Sequence, residues 1–265
     1  MSTAAATDRF NAEAAAWDSN PVTVRSSELA YEALLRHVPA LTDERSKQTL
    51  DILEIGCGTG LLSTRLSPHC RTLLGIDLAA GMVAAFNAKV ASSPTTTTPN
   101  ISAITTLFTD PDQPDVQAAA LALLSRVAAP DERNAPAAPF RWTLIASHLT
   151  LHHVPDLRAF LATAIAALAP GGGVALTDFA DCGRRSVLFH PREKREGVER
   201  HGIERGAIAA LAREVGFVDV EVGEAFVLEK GVDKGEAEEV GVEVEGGRMG
   251  FPFLVVLGRR RRAGE

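Results

Sequence analysis

Two rhythms of apolar residues alternate along the chain. Short apolar runs over residues 50–55, 73–77, 101–108, 140–147 and 174–177 read as strands. The first of them, Leu50-Asp51-Ile52-Leu53-Glu54-Ile55, has both faces filled, as in a strand buried within a parallel sheet. Helical periods lie between them. Met82, Phe86 and Val90 share one face over residues 80–90, and an Ala/Leu-rich helix covers 117–128. After Pro155-Asp156, residues Leu157, Phe160, Leu161, Ala164, Ile165 and Leu168 follow an i, i+3, i+4, i+7 stripe that ends at Pro170-Gly171-Gly172-Gly173. A further helix carries Ile208, Leu211 and Val215 and stops at Gly216. Strands alternating with helices predict an α/β fold.

The two ends of the chain depart from this alternation. Phe10, Ala14 and Trp17 recur at helical spacing until Asp18-Ser19-Asn20-Pro21 breaks the pattern. A second helix over residues 27–37 places Leu29, Ala30, Ala33 and Leu34 on one face, and Pro39 stops it. Together they predict a helical cap over residues 1–46, with the main domain over 47–265. Towards the other end, residues 217–222 and 251–258 read as strands, and 230–249 as a loop or ragged hairpin. Residues 91–100, with threonine from Thr95 to Thr98, form a polar loop expected to be mobile. Residues 129–139, with three prolines, read as an exposed connection, and 180–200 as charged and irregular.

The segment that organises the rest is Glu54-Ile55-Gly56-Cys57-Gly58-Thr59-Gly60, which directly follows the first strand and precedes a short helix over 61–66. Strand, glycine loop and helix open a nucleotide crevice. The dinucleotide fingerprint G-x-G-x-x-G needs a third glycine where Leu61 stands, and the carboxylate of Glu54 just ahead of the loop would repel a pyrophosphate. It suits a ligand that carries an ammonium and no phosphate. Roughly 20 residues past the glycines the second strand ends in Asp77, where a carboxylate grips ribose hydroxyls.

These residues give the chain a resemblance to the class I S-adenosylmethionine-dependent methyltransferases of the small-molecule type, in which a helical lid precedes a Rossmann-like domain. The similarity runs over about residues 8–228 with a last strand near 251–258, and takes in the Phe10-Asn11 and Trp17-Asp18 pairs and Leu168-Ala169-Pro170-Gly171-Gly172. It implies a Rossmann-like, mostly parallel sheet of seven strands with helices on both faces, its last two strands an antiparallel edge hairpin, plus the N-terminal lid. It also implies S-adenosyl-L-methionine as cofactor, with Gly56, Cys57, Gly58 and Gly60 supporting the methionine moiety. Glu54 would face the ammonium directly, through water or by orienting the loop. Asp77 would lie at the ribose, Leu78 elsewhere in the cofactor site, and Asp110 at the adenine amino group, with Asp112 and Asp115 as alternatives. Ser147 and His148 would line the methyl-transfer face. The family usually carries an Asp where Arg141-Trp142 stands here.

A general base is needed only for some acceptors, and the candidates are His148, His152, His153, His201 and Asp178, imidazole being apt at neutral pH. The resemblance gives His152-His153 the alternative task of pinning its loop. Asp178 would instead orient a histidine or an amine substrate. The acceptor is expected to be a small molecule methylated on oxygen, nitrogen or carbon. A protein side chain and a non-catalytic, cofactor-binding relative are the alternatives. A nicotinamide-dependent reductase is disfavoured by the glycine spacing and by the lack of a Tyr-x-x-x-Lys pair.

Bulk properties narrow this further. With 265 residues, 46% of them hydrophobic, the chain can bury a sizeable core. A net charge of −7 argues against a nucleic-acid footprint, and Arg259-Arg260-Arg261-Arg262 reads as a solubilising terminus. Three cysteines, Cys57, Cys70 and Cys182, without a C-x-x-C pair predict a reducing compartment, no disulfide framework and no metal site. No membrane span or secretory signal is read, so a cytoplasmic enzyme is expected; the oligomeric state is left open.

Overall fold

A computed structural model describes residues 2–92, 100–127 and 139–265, with side chains from Ala6 onward. The expected loop at 91–100 and the connection at 129–139 lie almost wholly outside the described residues. Seven strands form one sheet in the order β3-β2-β1-β4-β5-β7-β6. They are β1 (Asp51–Ile55), β2 (Thr72–Asp77), β3 (Ile101–Thr105), β4 (Trp142–His148), β5 (Leu168–Phe179), β6 (Val218–Gly231) and β7 (Arg248–Arg259). Neighbours from β3 to β5 pair parallel, while β7 runs antiparallel to both β5 and β6. The Rossmann-like sheet with an antiparallel edge is therefore present.

Strand β1 shows why its residues read as doubly buried. Leu53 and Ile55 enter the core on one face with Trp142 and Leu161, while Ile52 enters the core on the other with Leu66 and Phe86. Between them Glu54, only 2% exposed, shares the second face. Period-two alternation thus puts a carboxylate inside a hydrophobic layer.

Eight α-helices occur among the described residues: α1 (Ser2–Glu13), α2 (Pro21–His37), α3 (Ser63–Leu66), α4 (Ala80–Ala91), α5 (Pro114–Val127), α6 (Leu157–Ala167), α7 (Arg205–Glu214) and α8 (Lys234–Glu239). Some boundaries differ from the sequence reading for local chemical reasons. Asn20-Pro21, read as a break, is a helix start. The Asn20 side chain accepts from the N–H groups of Val22 and Thr23, and Pro21 occupies the first turn, where no N–H is missed. The second helix is thereby a turn and a half longer than its apolar stripe suggested. The third strand stops at Thr105, not Phe108, so residues 106–109 are free of the ladder. The segment 230–249 resolves into the continuation of the β6–β7 hairpin with α8 in its connection. Asp233 caps α8 by accepting from Glu236 N–H.

Candidate active site

The strand order reverses between β1 and β4, where an open parallel sheet leaves a crevice beyond its carboxyl ends. A cavity of about 440 Å³ lies there. Its floor is the glycine loop, with Glu54 and residues 55–59. Asp77 and Leu78 at the end of β2, residues 106–109 after β3 and residues 148–150 after β4 form the walls. Ala6, Phe10 and Trp17 close it from the lid.

The glycines divide two tasks. A Cβ on Gly56 would stand 2.1 Å from Thr150 Oγ1, and one on Gly60 2.5 Å from the Phe86 ring, with both residues at positive φ. These two positions need glycine so that β4 and α4 can close on the loop. At Gly58 a Cβ would meet only Trp17 Nε1, at 3.9 Å. There the bare backbone faces the cavity.

The two acids reach this floor differently. Asp77 accepts from Gly58 N–H through Oδ2 and from Ala79 N–H through Oδ1, both at 2.9 Å. Each oxygen keeps a second lone pair. Burial pushes its pKa up although the backbone N–H groups beside it oppose the shift. Glu54 accepts from Ser63 Oγ, and burial pushes its pKa up to about 8, with the nearby Asp77 adding to the rise. Cys57 lies buried in the loop, with Gly75 of β2 leaving room for its sulfur, and burial also pushes its thiol up.

The lid is fastened on both sides of the opening. Asn11 Oδ1 accepts from Gly81 N–H at 2.8 Å, and Asp18 accepts from Thr59 Oγ1 and pairs with Lys89 at 2.6 Å. Across the mouth, Arg9 donates to the carbonyls of Lys194 and Glu196, and Glu13 pairs with Lys194 at 2.6 Å. Replacing Asp18 with Ala should loosen the glycine-loop side alone. S-adenosylhomocysteine should then dissociate about 3- to 10-fold faster in stopped-flow measurements, the loss of one charge-assisted hydrogen bond. An unchanged off-rate would show that this contact does not hold the lid.

The expected catalytic residues scatter. His148 lines the cavity, but Ser26 Oγ lies 2.9 Å from its Nε2 and Thr177 Oγ1 lies 2.9 Å from its Nδ1. Burial lowers its pKa to about 4. It is thus a neutral ring with both nitrogens engaged by protein hydroxyls, poorly placed to take a proton and offering the cavity its ring face. Asp178 and His201 are not among the cavity-lining residues. Asp178 is buried against His152 at 2.9 Å, and His201 sits in the segment after β5. Asp110 is exposed, its Oδ1 accepting from Asp112 N–H in a turn of its own, a competing use of that side chain. Ser147 donates to the Ile55 carbonyl at 2.7 Å and ties β4 to β1 from within the sheet. Leu78 does line the cavity, and at 38% exposure it is one of three large apolar side chains so open among the described residues; Leu107, also in the wall, is another.

Sequence reasoning missed several of these residues. Thr23, Ser27, Phe108 and Phe160 line the cavity, as does His153, which the sequence had offered as a candidate base. Thr23 sits on a first helical turn that only the Asn20 cap could have announced. Leu149 follows β4 at φ +55°, a left-handed conformation rare for a bulky residue and one that marks strained backbone at the switch point.

The composition of the wall tests which ligand fits. Lysine and arginine are absent from the described lining residues, whereas Glu54, Asp77 and Asp156 are present. A pyrophosphate would meet carboxylates with no cation to offset them. A cationic nucleoside without phosphate meets complementary charge at the loop and apolar surface beyond it.

The comparisons with known proteins agree. A methyltransferase domain family matches residues 27–222. Among solved structures, the YcgJ protein of Bacillus subtilis superposes with a TM-score of 0.60 at 12% identity, covering 87% of this chain and 99% of that one. Magnesium protoporphyrin IX methyltransferase of Synechocystis PCC 6803, with bound S-adenosylhomocysteine, gives 0.54 at 12% identity over 90% and 84% of the two chains. The N-methyltransferase NodS of Bradyrhizobium japonicum WM9, also with S-adenosylhomocysteine, gives 0.51 at 18% identity over 96% of each. At these identities the likeness is one of fold. An uncharacterized methyltransferase of Schizosaccharomyces pombe is 44% identical over 43 residues, which span 16% of this chain and only 15% of that relative. With the glycine loop, its two acids and three-quarters of its length inside the matched family, the chain belongs to the class I methyltransferases, whose cofactor is S-adenosylmethionine.

Proposed function

We propose that this protein transfers the methyl group of S-adenosylmethionine to a small molecule. The observation that carries this reading is the lid. Pinned to the glycine loop on one side and to residues 194 and 196 on the other, it roofs a cavity of about 440 Å³. That volume lies within the range of small-molecule sites, and a protein side chain would need an open groove instead. Among the described residues, no helix is long and apolar enough to cross a membrane.

The cofactor supplies an electrophilic methyl on a sulfonium. The chain's own residues bind and position. The Gly58 backbone and Glu54 face the amino-acid end, Asp77 offers its free lone pairs to ribose hydroxyls, and Leu78, Leu107 and Phe108 provide apolar surface for the base. His148 and the hydroxyls of Thr23 and Ser27 lie where an acceptor would be oriented. Holding an acceptor at attack distance is worth about 7–11 kcal/mol of barrier, which leaves little need for a strong base.

The test is a screen with methyl-labelled S-adenosylmethionine against a metabolite library and, in parallel, a peptide array. Label on small molecules supports the reading. Label on peptides alone, or no turnover despite tight S-adenosylhomocysteine binding, overturns it in favour of a protein substrate or a binding-only role.

A further inference from the structure

We propose that His152, His153 and His190 form a binding site for one divalent transition-metal ion of the zinc class. One ring nitrogen of each lies within 4.8 Å of the other two. Two of the residues come from the turn after β4 and the third from the segment joining β5 to α7, so the site is assembled only by the fold.

Hydrogen bonds at the outer nitrogens set the tautomers. His152 Nδ1 lies 2.9 Å from Asp178 Oδ1, with both side chains buried. A carboxylate only accepts, so Nδ1 carries the proton, and Nε2 is the nitrogen turned to the other two rings. That Nε2 is buried and has no hydrogen-bond partner. His153 Nδ1 donates to the Gly197 carbonyl at 2.7 Å, which puts a lone pair on its Nε2. His190 Nδ1 is again buried without a partner. Unpaired imidazole nitrogens gathered in one dry spot are costly unless a cation sits among them.

The surroundings of the three rings resemble the outer shell of such sites, in which a carboxylate or backbone carbonyl holds the nitrogen away from the ion. The rings of Phe179 and Phe189 lie 5.0 and 6.5 Å from that of His152 and exclude water. Arg9 and Lys230 act against an added cation. Both are engaged elsewhere, Arg9 on the Lys194 and Glu196 carbonyls and Lys230 on the Phe189 carbonyl and ring face. The buried Asp178 carboxylate acts for it.

Three imidazoles without thiolate favour zinc, copper, nickel or cobalt over magnesium or calcium. Bond lengths of about 2.0–2.1 Å bring tetrahedral ligands to about 3.4 Å apart, so the rings must close by roughly an ångström. The fourth position is left for water. Bound there, the ion would fasten the segment that carries the lid's anchors, Lys194 and Glu196, to the turn after β4.

The experiment uses untagged full-length protein, stripped of metal and titrated with Zn²⁺ and with Co²⁺. About one equivalent by elemental analysis, intense visible bands from tetrahedral Co²⁺ and a Zn²⁺-dependent rise in melting temperature are expected. His190→Ala should weaken binding about 100-fold, while His37→Ala, remote on α2, leaves it intact. His190→Gln, checked by circular dichroism, serves if the alanine variant does not fold. No uptake by wild-type protein at roughly 100 μM metal, about −5.5 kcal/mol of affinity, would overturn the proposal, as would equal uptake by the His190 variants. S-adenosylhomocysteine affinity, read on the same samples, reports the cofactor site separately.

Discussion

Asp77→Ala should lose about 100-fold in S-adenosylhomocysteine affinity, or ~2.7 kcal/mol. The size follows from what the carboxylate does twice over. It accepts the N–H of Gly58, which sets the floor of the cavity, and that of Ala79, which leads into α4. It also keeps a lone pair on each oxygen for a ligand hydroxyl. Truncation leaves two buried donors unpaired at about 1–3 kcal/mol each, part of it felt as lost stability and part as a misplaced loop. Asp77→Asn should fall between, because its amide has one oxygen to share between two N–H donors. Isothermal titration calorimetry reads the affinity, and circular dichroism establishes that the sheet is retained. An Asp77→Ala variant that folds and binds as well as wild type would remove this residue from the ribose role.

The second large effect belongs to Glu54, whose pKa rises from 4.5 to about 8 because it is buried. In an acid with a raised folded-state pKa, the folded protein holds the proton more tightly than the unfolded chain. The resulting stability is fully present below pH 4.5 and is lost as pH rises through about 8. The window amounts to about 5 kcal/mol at most. Glu54→Gln cannot titrate, yet keeps an oxygen for Ser63. Denaturant midpoints of the ligand-free proteins, taken from pH 5 to 9, should therefore fall more steeply in wild type than in the variant. Other titrating groups cancel in the difference. Parallel profiles would show that Glu54 is already ionised in the folded protein. If an ammonium binds beside it, wild type should release up to one proton on cofactor binding at pH 7, and the variant none. Calorimetry in buffers of different ionisation heat measures that release.

Both predictions concern residues that the sequence singled out and that line the cavity. The reason is that the glycine loop and its flanking acids are contiguous or tied to a strand end. Strand β1, the loop and the Asp77 terminus of β2 follow from local pattern alone, because a doubly buried strand has few other ways to satisfy its backbone. Asp110 shows the limit of local reading, because an Asp in a turn can serve either its own backbone or a ligand, and in the structure it accepts from Asp112 N–H. Asp178 and His201 were named as candidate bases, but position along the chain gives no direction for a side chain. In the structure Asp178 turns inward to His152.

By itself, then, the chain's alternation of strand and helix determined the α/β class, the crevice after β1 and the preference for a phosphate-free cationic nucleoside. These depend on short-range periodicity and on charge at fixed spacing. Tertiary structure alone decided which histidines face the cavity, that Asp18 reaches Thr59 and Lys89, and that His190 meets His152 and His153. Each of those contacts joins residues about 40 or more positions apart. Separations of that length carry no periodic signal, and only packing of the whole core fixes them.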